Sequence, residues 1–233
     1  MTADGSSRED AVAHVLIADD DRSLREVVRF ALERDGHRVT EARDGAEALA
    51  AWESGGADLL VLDVVMPNVD GLAVCRQVRA TSTVPIVFLS SRDEELDRIL
   101  GLELGGDDYV TKPFSPRELA TRVKVLLRRV AMDARPAAAS DVLEHGEARL
   151  DVAAHRCWWR GVEVTLTATE FGILTALLRQ PGRAFSRQQL VDAAWGPGHA
   201  VSDRTVDSHV RRIRSKLAAE LIATVHGVGY RLG

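Results

Sequence analysis

The first half of the chain alternates short apolar runs with longer amphipathic stretches. Five apolar runs predict β-strands, namely HVLIAD, HRVTEA, DLLVLD, PIVFLS and DYVTK. After each run, apolar residues recur every three or four positions, which predicts a helix. Five strands that alternate with five helices favour a doubly wound, flavodoxin-like α/β domain with a five-stranded parallel sheet.

The first predicted helix, SLREVVRFALERDG, shows the signals on which these helix predictions depend. Ser23 is a candidate N-cap and Gly36 a candidate C-terminal stop. The residues expected to form its buried stripe are Leu24, Val27, Val28, Ala31 and Leu32.

The second half has a different pattern. Residues 142–165 form short alternating segments with turns at Gly146 and Gly161, which predicts a small antiparallel sheet. Three helical patterns follow, TATEFGILTALLRQPG, SRQQLVDAAWG and SDRTVDSHVRRIRSKL, and the first has Thr167 and Glu170 in capping-box spacing. A final hairpin, IATVHGVGYRL, completes an α+β domain.

Between the two patterns lies VAMDARPAAASD, a stretch of small residues with one proline and no apolar stripe, which is typical of a linker. We therefore predict a first domain over 13–130, a linker over 131–141 and a second domain over 142–233.

Charge divides along the same boundary. Residues 1–129 carry 17 basic and 24 acidic residues, whereas residues 140–233 carry 12 basic and 10 acidic residues. The overall acidity therefore belongs to the first domain, and the second domain is mildly basic, which leaves nucleic acid open as its partner.

Few features indicate a membrane or an oxidising compartment. The only cysteines, Cys75 and Cys157, lack the spacing of a disulfide framework or a zinc site. The polar N-terminus does not resemble a signal peptide, and no run approaches the ~20 apolar residues of a membrane span. We expect a cytoplasmic protein without membrane contacts.

Polar residues follow four of the predicted parallel strands. Asp19 and Asp20 end the first, Asp63 the third and Ser90 the fourth, and Lys112 follows the fifth. Because parallel strands end at one edge of the sheet, these side chains should converge. Clustered carboxylates repel one another unless a cation neutralises them, and Mg²⁺ prefers such oxygen ligands.

Two alternatives to a functional cluster were weighed. Single aspartates in these positions can be helix caps, and for Asp21 and Asp70 capping is the favoured interpretation. Haloacid-dehalogenase-like phosphatases also use an aspartyl nucleophile, but they need a second aspartate two residues later, where this chain has Val65. The sequence therefore favours a switch over a turnover enzyme.

The elements DDD, LDVVMPNVDG, LSSR and GGDDYVTKPF resemble the receiver domain of bacterial two-component response regulators over residues 13–130. The resemblance implies that Asp63 accepts a phosphoryl group from the phosphohistidine of a sensor kinase. It implies a magnesium site made by Asp19, Asp20, Asp63 and the backbone carbonyl of Val65. The remaining residues that it assigns are Lys112 and Ser90, as phosphoryl contacts, and Tyr109, as a switch.

The third helix of the second domain has two faces. Val206, Val210, Ile213 and Leu217 should be buried, whereas five basic residues and only one acid lie between Arg204 and Lys216. A solvated face would explain the charges alone. In combination, however, SDRTVDSHVRRIRSKL and TVHGVGYRL resemble the winged helix-turn-helix effector of the OmpR/PhoB family over residues 142–232.

This second resemblance implies that the basic helix enters the major groove of double-stranded DNA and that the hairpin contacts the adjacent minor groove. Arg212 is the candidate for base contact. Other candidate DNA contacts are Arg204, Thr205, Ser208, His209, Arg211, Arg214, His226 and Tyr230. We interpret Trp158, Trp159, Trp195 and Phe171 as packing residues. The loop WGPGHAVSD is a candidate contact with RNA polymerase.

The hairpin departs from the family pattern, because His226 occupies the usual position of an arginine and Ala223 replaces an often polar residue. These changes put the minor-groove contact in doubt. They also leave open a second class of function, a protein-interaction module that no longer binds DNA or is no longer phosphorylated.

The receiver resemblance also implies homodimerisation on phosphorylation. Charges of both signs lie on the predicted fourth helix, fifth strand and fifth helix, as a symmetric contact requires. They are Arg98, Glu103, Asp107, Asp108, Glu118 and Arg122. The preferred interpretation is a transcription factor controlled by phosphorylation of Asp63.

Overall fold

The structure is a computed structural model, and it describes residues 12–91, 104–133, 141–196 and 203–233. Most of the predicted fourth helix, with Arg98 and Glu103, lies outside the described residues. The same holds for most of the linker and for the central part of the loop WGPGHAVSD.

The N-terminal domain is the predicted doubly wound α/β fold. Its strands are β1 (His14–Ala18), β2 (Arg38–Ala42), β3 (Leu59–Asp63), β4 (Ile86–Ser91) and β5 (Asp108–Lys112). Its described helices are α1 (Arg22–Arg34), α2 (Gly45–Gly55), α3 (Gly71–Arg79) and α4 (Pro116–Asp133). The strands form one parallel sheet in the order β2-β1-β3-β4-β5.

Alternating residues of the central strands bury opposite faces of this sheet. Val15 and Ile17 of β1 pack in the cluster that also contains residues of α1 and α4. Leu16 and Ala18 pack on the other side, with residues of α2 and α3. Since β3 lies between β1 and β4, all five of its residues are buried, which explains its uninterrupted apolar sequence.

Helix α1 differs from the prediction in two respects. Its N-cap is Asp21 and not Ser23, because the Asp21 carboxylate accepts hydrogen bonds from the backbone N–H groups of Ser23 and Leu24. Val27 was expected to be buried but is 47% exposed, since it lies at the edge of the stripe that contacts the sheet.

The C-terminal domain contains two antiparallel sheets and three helices. The first sheet has four strands, β6 (Val142–His145), β7 (Ala148–Asp151), β8 (Arg156–Trp159) and β9 (Val162–Val164). Helices α5 (Ala168–Arg179), α6 (Arg187–Trp195) and α7 (Asp203–Lys216) follow. The second sheet has the order β10-β12-β11, with β10 (Phe185–Ser186), β11 (Ile222–Val225) and β12 (Gly229–Leu232).

The predicted local signals of this domain are confirmed. Thr167 and Glu170 form a reciprocal capping box at the start of α5. Trp195 is completely buried in the domain core, and Trp159 packs against that core from a partly buried position. Arg149 and Arg156 lie over the ring of Trp158, which is therefore covered by neighbours of its own sheet.

Helix α4 continues to Asp133, three residues into the stretch predicted as a linker. In the parts of the chain that the structure describes, no helix combines the length and the apolar character that a membrane span requires.

Candidate functional site

The predicted acidic cluster lies at the edge of the sheet where β1 and β3 end. Carboxylate oxygens of Asp19, Asp20 and Asp63 lie within 4.8 Å of one another. Asp19 is completely buried, Asp63 is 6% exposed, and Asp20 faces solvent. Three carboxylates, one of them open to water, thus form a compact set of oxygen donors.

Lys112 contacts two of these carboxylates. Its Nζ lies 2.8 Å from Asp19 Oδ2 and 3.0 Å from Asp63 Oδ2. The peptide bond from Lys112 to Pro113 is cis, as the sequence had suggested. Lys112 therefore joins the end of β5 to the ends of β1 and β3.

The surroundings change the acidity of the cluster. Burial raises the pKa of Asp63 to about 6, and the charge of Asp19 adds to this effect, whereas Lys112 opposes it. Burial alone would lower the pKa of Lys112, but its hydrogen bonds to Asp19 and Asp63 and their charges raise it overall. Lys112 therefore stays charged, and the site favours a further cation beside Asp63.

Sequence reasoning missed Arg25, a buried residue of α1 that supports the cluster. Its Nη1 donates to the backbone carbonyl of Asp19 at 2.6 Å, and its Nε lies 3.2 Å from Glu41 of β2. A signal was present, because Arg25 follows Leu24 directly in the apolar stripe. The backbone N–H of Asp21 also donates to Asp19, at 2.9 Å, so Asp19 is held from two directions.

Ser90 and Tyr109 are near the site but are not directed at Asp63 by any contact among the described residues. Ser90 is completely buried, and its hydroxyl donates to the carbonyl of Ser91 at 3.1 Å. Tyr109 is partly buried against the cluster on the α2 and α3 side of the sheet. Val65 is 55% exposed in the loop after β3.

Gly71 explains why this loop can close so tightly. A Cβ atom at this position would lie 2.0 Å from the carbonyl oxygen of Asp63, which is too close for any side chain. Asp70 caps α3 by accepting from the backbone N–H of Ala73, as predicted. Glycine at position 71 thus lets α3 begin directly beside the end of β3.

The donor set fits a magnesium ion. Asp19, Asp20 and Asp63 supply carboxylate oxygens, and the exposure of Asp20 leaves room for the waters that Mg²⁺ retains. The cluster contains no sulfur or imidazole ligand that would favour zinc.

On α7, the candidate DNA contacts fall into two groups. Arg204 and Arg211 are exposed, as is His226 at the tip of the β11–β12 hairpin. In contrast, Thr205 and His209 are completely buried and Ser208 is 8% exposed, although all three were expected to face DNA.

The N-terminal domain covers this part of α7. A cleft of about 510 Å³ lies between the two domains. From the N-terminal domain it is lined by Arg79, Ala80, Thr81, Ser82 and Thr83, and from the C-terminal domain by Thr165, Arg212 and Lys216. The His209 ring lies beside the backbone of Asp107, and Arg212 is close enough to Cys75 to affect its pKa.

Within the C-terminal domain, Arg212 and Lys216 are held by a buried carboxylate. Arg212 Nε lies 3.2 Å from Glu170 Oε1, and Lys216 Nζ lies 2.7 Å from Glu170 Oε2. The guanidinium of the predicted base-reading residue is therefore engaged with α5 in this structure.

Arg214 and Tyr230 are likewise engaged within the domain. Arg214 donates to the carbonyl of Ile222, with Nη2 at 2.7 Å, and to the Thr224 hydroxyl at 2.9 Å. Tyr230 is 5% exposed and its hydroxyl donates to Asp207 at 2.7 Å. Both residues bind α7 to the hairpin, an arrangement that the one-dimensional pattern of basic residues did not reveal.

The predicted dimer face is less open than the sequence suggested. Asp107 is completely buried and pairs with Arg79 at 2.8 Å. Asp108 is 1% exposed and pairs with Arg122 at 2.9 Å. Since these charges already have partners in the same chain, Glu118 is the one exposed charge among the described members of the set.

Two family models match the chain. Residues 15–124 match the response regulator receiver domain, and residues 161–232 match the transcriptional regulatory protein C-terminal domain. The fold and the acidic site therefore define a receiver joined to a DNA-binding module.

Similar proteins support this classification over the whole chain. Sensory transduction protein RegX3 of Mycolicibacterium smegmatis is 43% identical, with 94% of this chain and 98% of the relative covered. Transcriptional regulatory protein ResD of Bacillus subtilis is 40% identical, with 93% and 94% covered. The crystal structure of response regulator DrrB, a Thermotoga maritima OmpR/PhoB homolog, is 28% identical, has a TM-score of 0.51 and covers 95% of this chain and 99% of its own.

The chain belongs to the two-component response regulators with an OmpR/PhoB-type DNA-binding domain, and it is a transcriptional regulator. Helix α7 is accordingly called the recognition helix below, and the β11–β12 hairpin is called the wing.

Proposed function

We propose that Asp63 is the phosphoryl acceptor of this regulator and that a sensor histidine kinase is the donor. The observation that carries the proposal is the bridge from Lys112 to both Asp19 and Asp63 at one edge of the sheet. An aspartate carboxylate is a competent nucleophile toward phosphorus when nearby cations offset the negative charge of the reacting groups.

The residues around Asp63 have separate roles in this proposal. Asp19, Asp20, Asp63 and the backbone carbonyl of Val65 hold Mg²⁺, which supplies charge neutralisation when bound. Lys112 contacts the phosphoryl oxygens as a point charge, because its ammonium is already within 3.0 Å of Asp63. Ser90 turns its hydroxyl away from the Ser91 carbonyl toward the phosphoryl group, and Tyr109 moves with it.

Phosphorylation then controls access to DNA. In the unphosphorylated chain the receiver, residues 13–130, covers part of the recognition helix of the effector, residues 142–233. Because Thr205, Ser208 and His209 are buried in this arrangement, the helix cannot enter a major groove without domain separation. Phosphorylation favours separation, homodimerisation of receivers and binding to promoter DNA in the cytoplasm. The loop WGPGHAVSD contacts RNA polymerase.

The acceptor is tested by incubating the full chain with acetyl phosphate and Mg²⁺ and measuring the intact mass. We expect one added phosphoryl group in the wild type and in Asp70→Asn, which changes a nearby helix cap, and none in Asp63→Asn. Equal labelling of Asp63→Asn would refute the assignment. Retention of labelling after chelation of all divalent ions would refute the role of the metal.

A further inference from the structure

His209 of the recognition helix has an unusual position for a titratable group. It is completely buried, and neither ring nitrogen has a hydrogen-bond partner of ordinary geometry among the described residues. The ring lies beside the backbone of Asp107, at the start of β5 in the receiver, and its centroid is 5.4 Å from that of Trp195. The domain contact therefore buries an imidazole without satisfying it.

The charges that face His209 do not prepare the site for an imidazolium. Asp107 attracts a proton from the receiver side, but Arg79 already pairs with it at 2.8 Å. Glu170 attracts a proton from α5, but it is paired with Arg212 and Lys216. Arg212, one helical turn beyond His209, repels a positive ring.

We propose that His209 is a proton-sensitive latch: protonation of its ring opens the contact between the recognition helix and the receiver, so that acid exposes the DNA-binding face without phosphorylation. The inference rests on the closed resting state proposed above. It adds a second input, intracellular pH, to the phosphorylation of Asp63.

The sign follows from the environments of the ring in the two states. In the closed state, burial lowers the pKa of His209 to about 4, and the attraction of Asp107 and Glu170 does not compensate. In the open state an exposed ring has an ordinary pKa near 6.5. The open state thus binds the proton more tightly, and the closed state loses its advantage as the pH falls below about 6.5.

The same two values give the size of the effect. The ratio of open to closed chains should rise about fourfold from pH 7.5 to about 6, and about tenfold from pH 7.5 to about 5.5.

Single-molecule energy transfer measures this ratio directly and needs no DNA. Dyes are attached to cysteines introduced at Glu53 and Glu220, which are exposed in different domains. The native Cys75 and Cys157 are buried. The Asp63→Asn background is used, because the pKa of Asp63 is about 6 and its titration would fall in the same window.

Three chains are compared from pH 7.5 to about 5.5. The chain with His209 should show the tenfold rise, and so should the matched control His226→Gln, which changes an exposed histidine of the same domain. His209→Gln, which cannot be protonated, should show a constant ratio. A response that survives His209→Gln, or a constant ratio in all three chains, would overturn the latch.

The outcome also separates the latch from the proposed function. Closed chains with Asp63 intact should open on treatment with acetyl phosphate at pH 7.5. If they do so while the ratio ignores pH, the latch is wrong and the phosphorylation switch stands. If the chains are already open at pH 7.5 without phosphate, the closed resting state is wrong and the latch is refuted with it.

Discussion

The hydroxyl of Tyr230 donates a 2.7 Å hydrogen bond to Asp207, which ties the last strand of the wing to the recognition helix. Arg187 of α6 pairs with the same carboxylate at 2.7 Å and lies over the Tyr230 ring. Arg214 lies over the ring as well and reaches the wing strand β11 through Ile222. One aromatic residue thus connects both helices of the helix-turn-helix to the wing.

Replacing Tyr230 with Phe should destabilise the effector domain by about 1 to 2 kcal/mol, because a hydrogen bond to a carboxylate is lost while the ring packing is kept. Urea unfolding followed by tryptophan fluorescence measures the change, since three of the four tryptophans lie in this domain. Tyr109→Phe, in the receiver, is the control and should leave the effector transition unchanged. Equal effector midpoints for Tyr230→Phe and wild type would contradict the prediction.

Lys112→Met should have opposite effects on metal binding and on phosphorylation. Loss of an ammonium 2.8 Å from Asp19 and 3.0 Å from Asp63 removes a positive charge that competes for the same carboxylates. Mg²⁺ affinity, measured by calorimetry, should therefore rise severalfold. Phosphorylation by acetyl phosphate should become at least about tenfold slower, because one preorganised charge beside the reacting oxygens is typically worth that much or more.

Lys124→Met is the control for this experiment, because it removes the same charge from an exposed position on α4. It should leave both quantities near the wild-type values. A Lys112→Met chain that binds Mg²⁺ more weakly would show that Lys112 organises the carboxylates instead of competing with the metal.

Glu118→Lys should weaken dimerisation of the phosphorylated protein. Glu118 is exposed at the start of α4 and lies 3.1 Å from Arg122, so it can accept a cation from a second receiver without unfolding its own. A symmetric contact uses each residue twice, which doubles the effect of a charge reversal. Sedimentation velocity after acetyl phosphate treatment should show monomers at concentrations where the wild type is dimeric.

Arg122 distinguishes this role from a structural one. It is 8% exposed and neutralises the buried Asp108, so Arg122→Met should lower receiver stability by about 3 kcal/mol or more, as loss of one partner of a buried pair does. Unaltered dimerisation of Glu118→Lys would exclude the proposed face.

Features that depend on neighbours along the chain were predictable from the sequence. The strands, the capping box of Thr167 and Glu170, and the caps of α1 and α3 follow from local patterns. The acidic cluster was also predictable, because parallel strands place their ends at one edge whatever their order in the sheet. Asp19 and Asp63, which are 44 residues apart, could therefore be paired without knowing the topology.

Features that depend on long-range packing were not predictable. Arg25 reads as a break in an apolar stripe, and only the tertiary structure shows that it supports Asp19. Asp107, Thr205 and His209 read as surface residues, because nothing in a one-dimensional pattern indicates that one domain covers another. Arg214 has the same sequence signature as Arg211, yet one is bound to the wing and the other is exposed.

His226→Arg should strengthen DNA binding by the phosphorylated protein at pH 7.5. His226 is exposed at the wing tip, followed by Gly227 with a φ of 74°, so its side chain projects where the family has an arginine. An imidazole is mostly neutral at this pH, whereas a guanidinium is always charged and can contact a phosphate or the minor groove. We expect a gain of about 1 kcal/mol, roughly fivefold, on an A·T-rich duplex.

The salt dependence identifies the origin of this gain. If the arginine neutralises one more phosphate, the slope of log affinity against log salt should become steeper by about 0.9. The comparison is made in a His209→Gln background, because His209 could otherwise add its own pH dependence. In that background the His226 chain should bind more tightly as the pH falls from about 7.5 to 6, while the His226→Arg chain should not respond. Equal affinities and equal slopes would mean that the wing does not contact DNA, and that recognition depends on the helix face bearing Arg204 and Arg211.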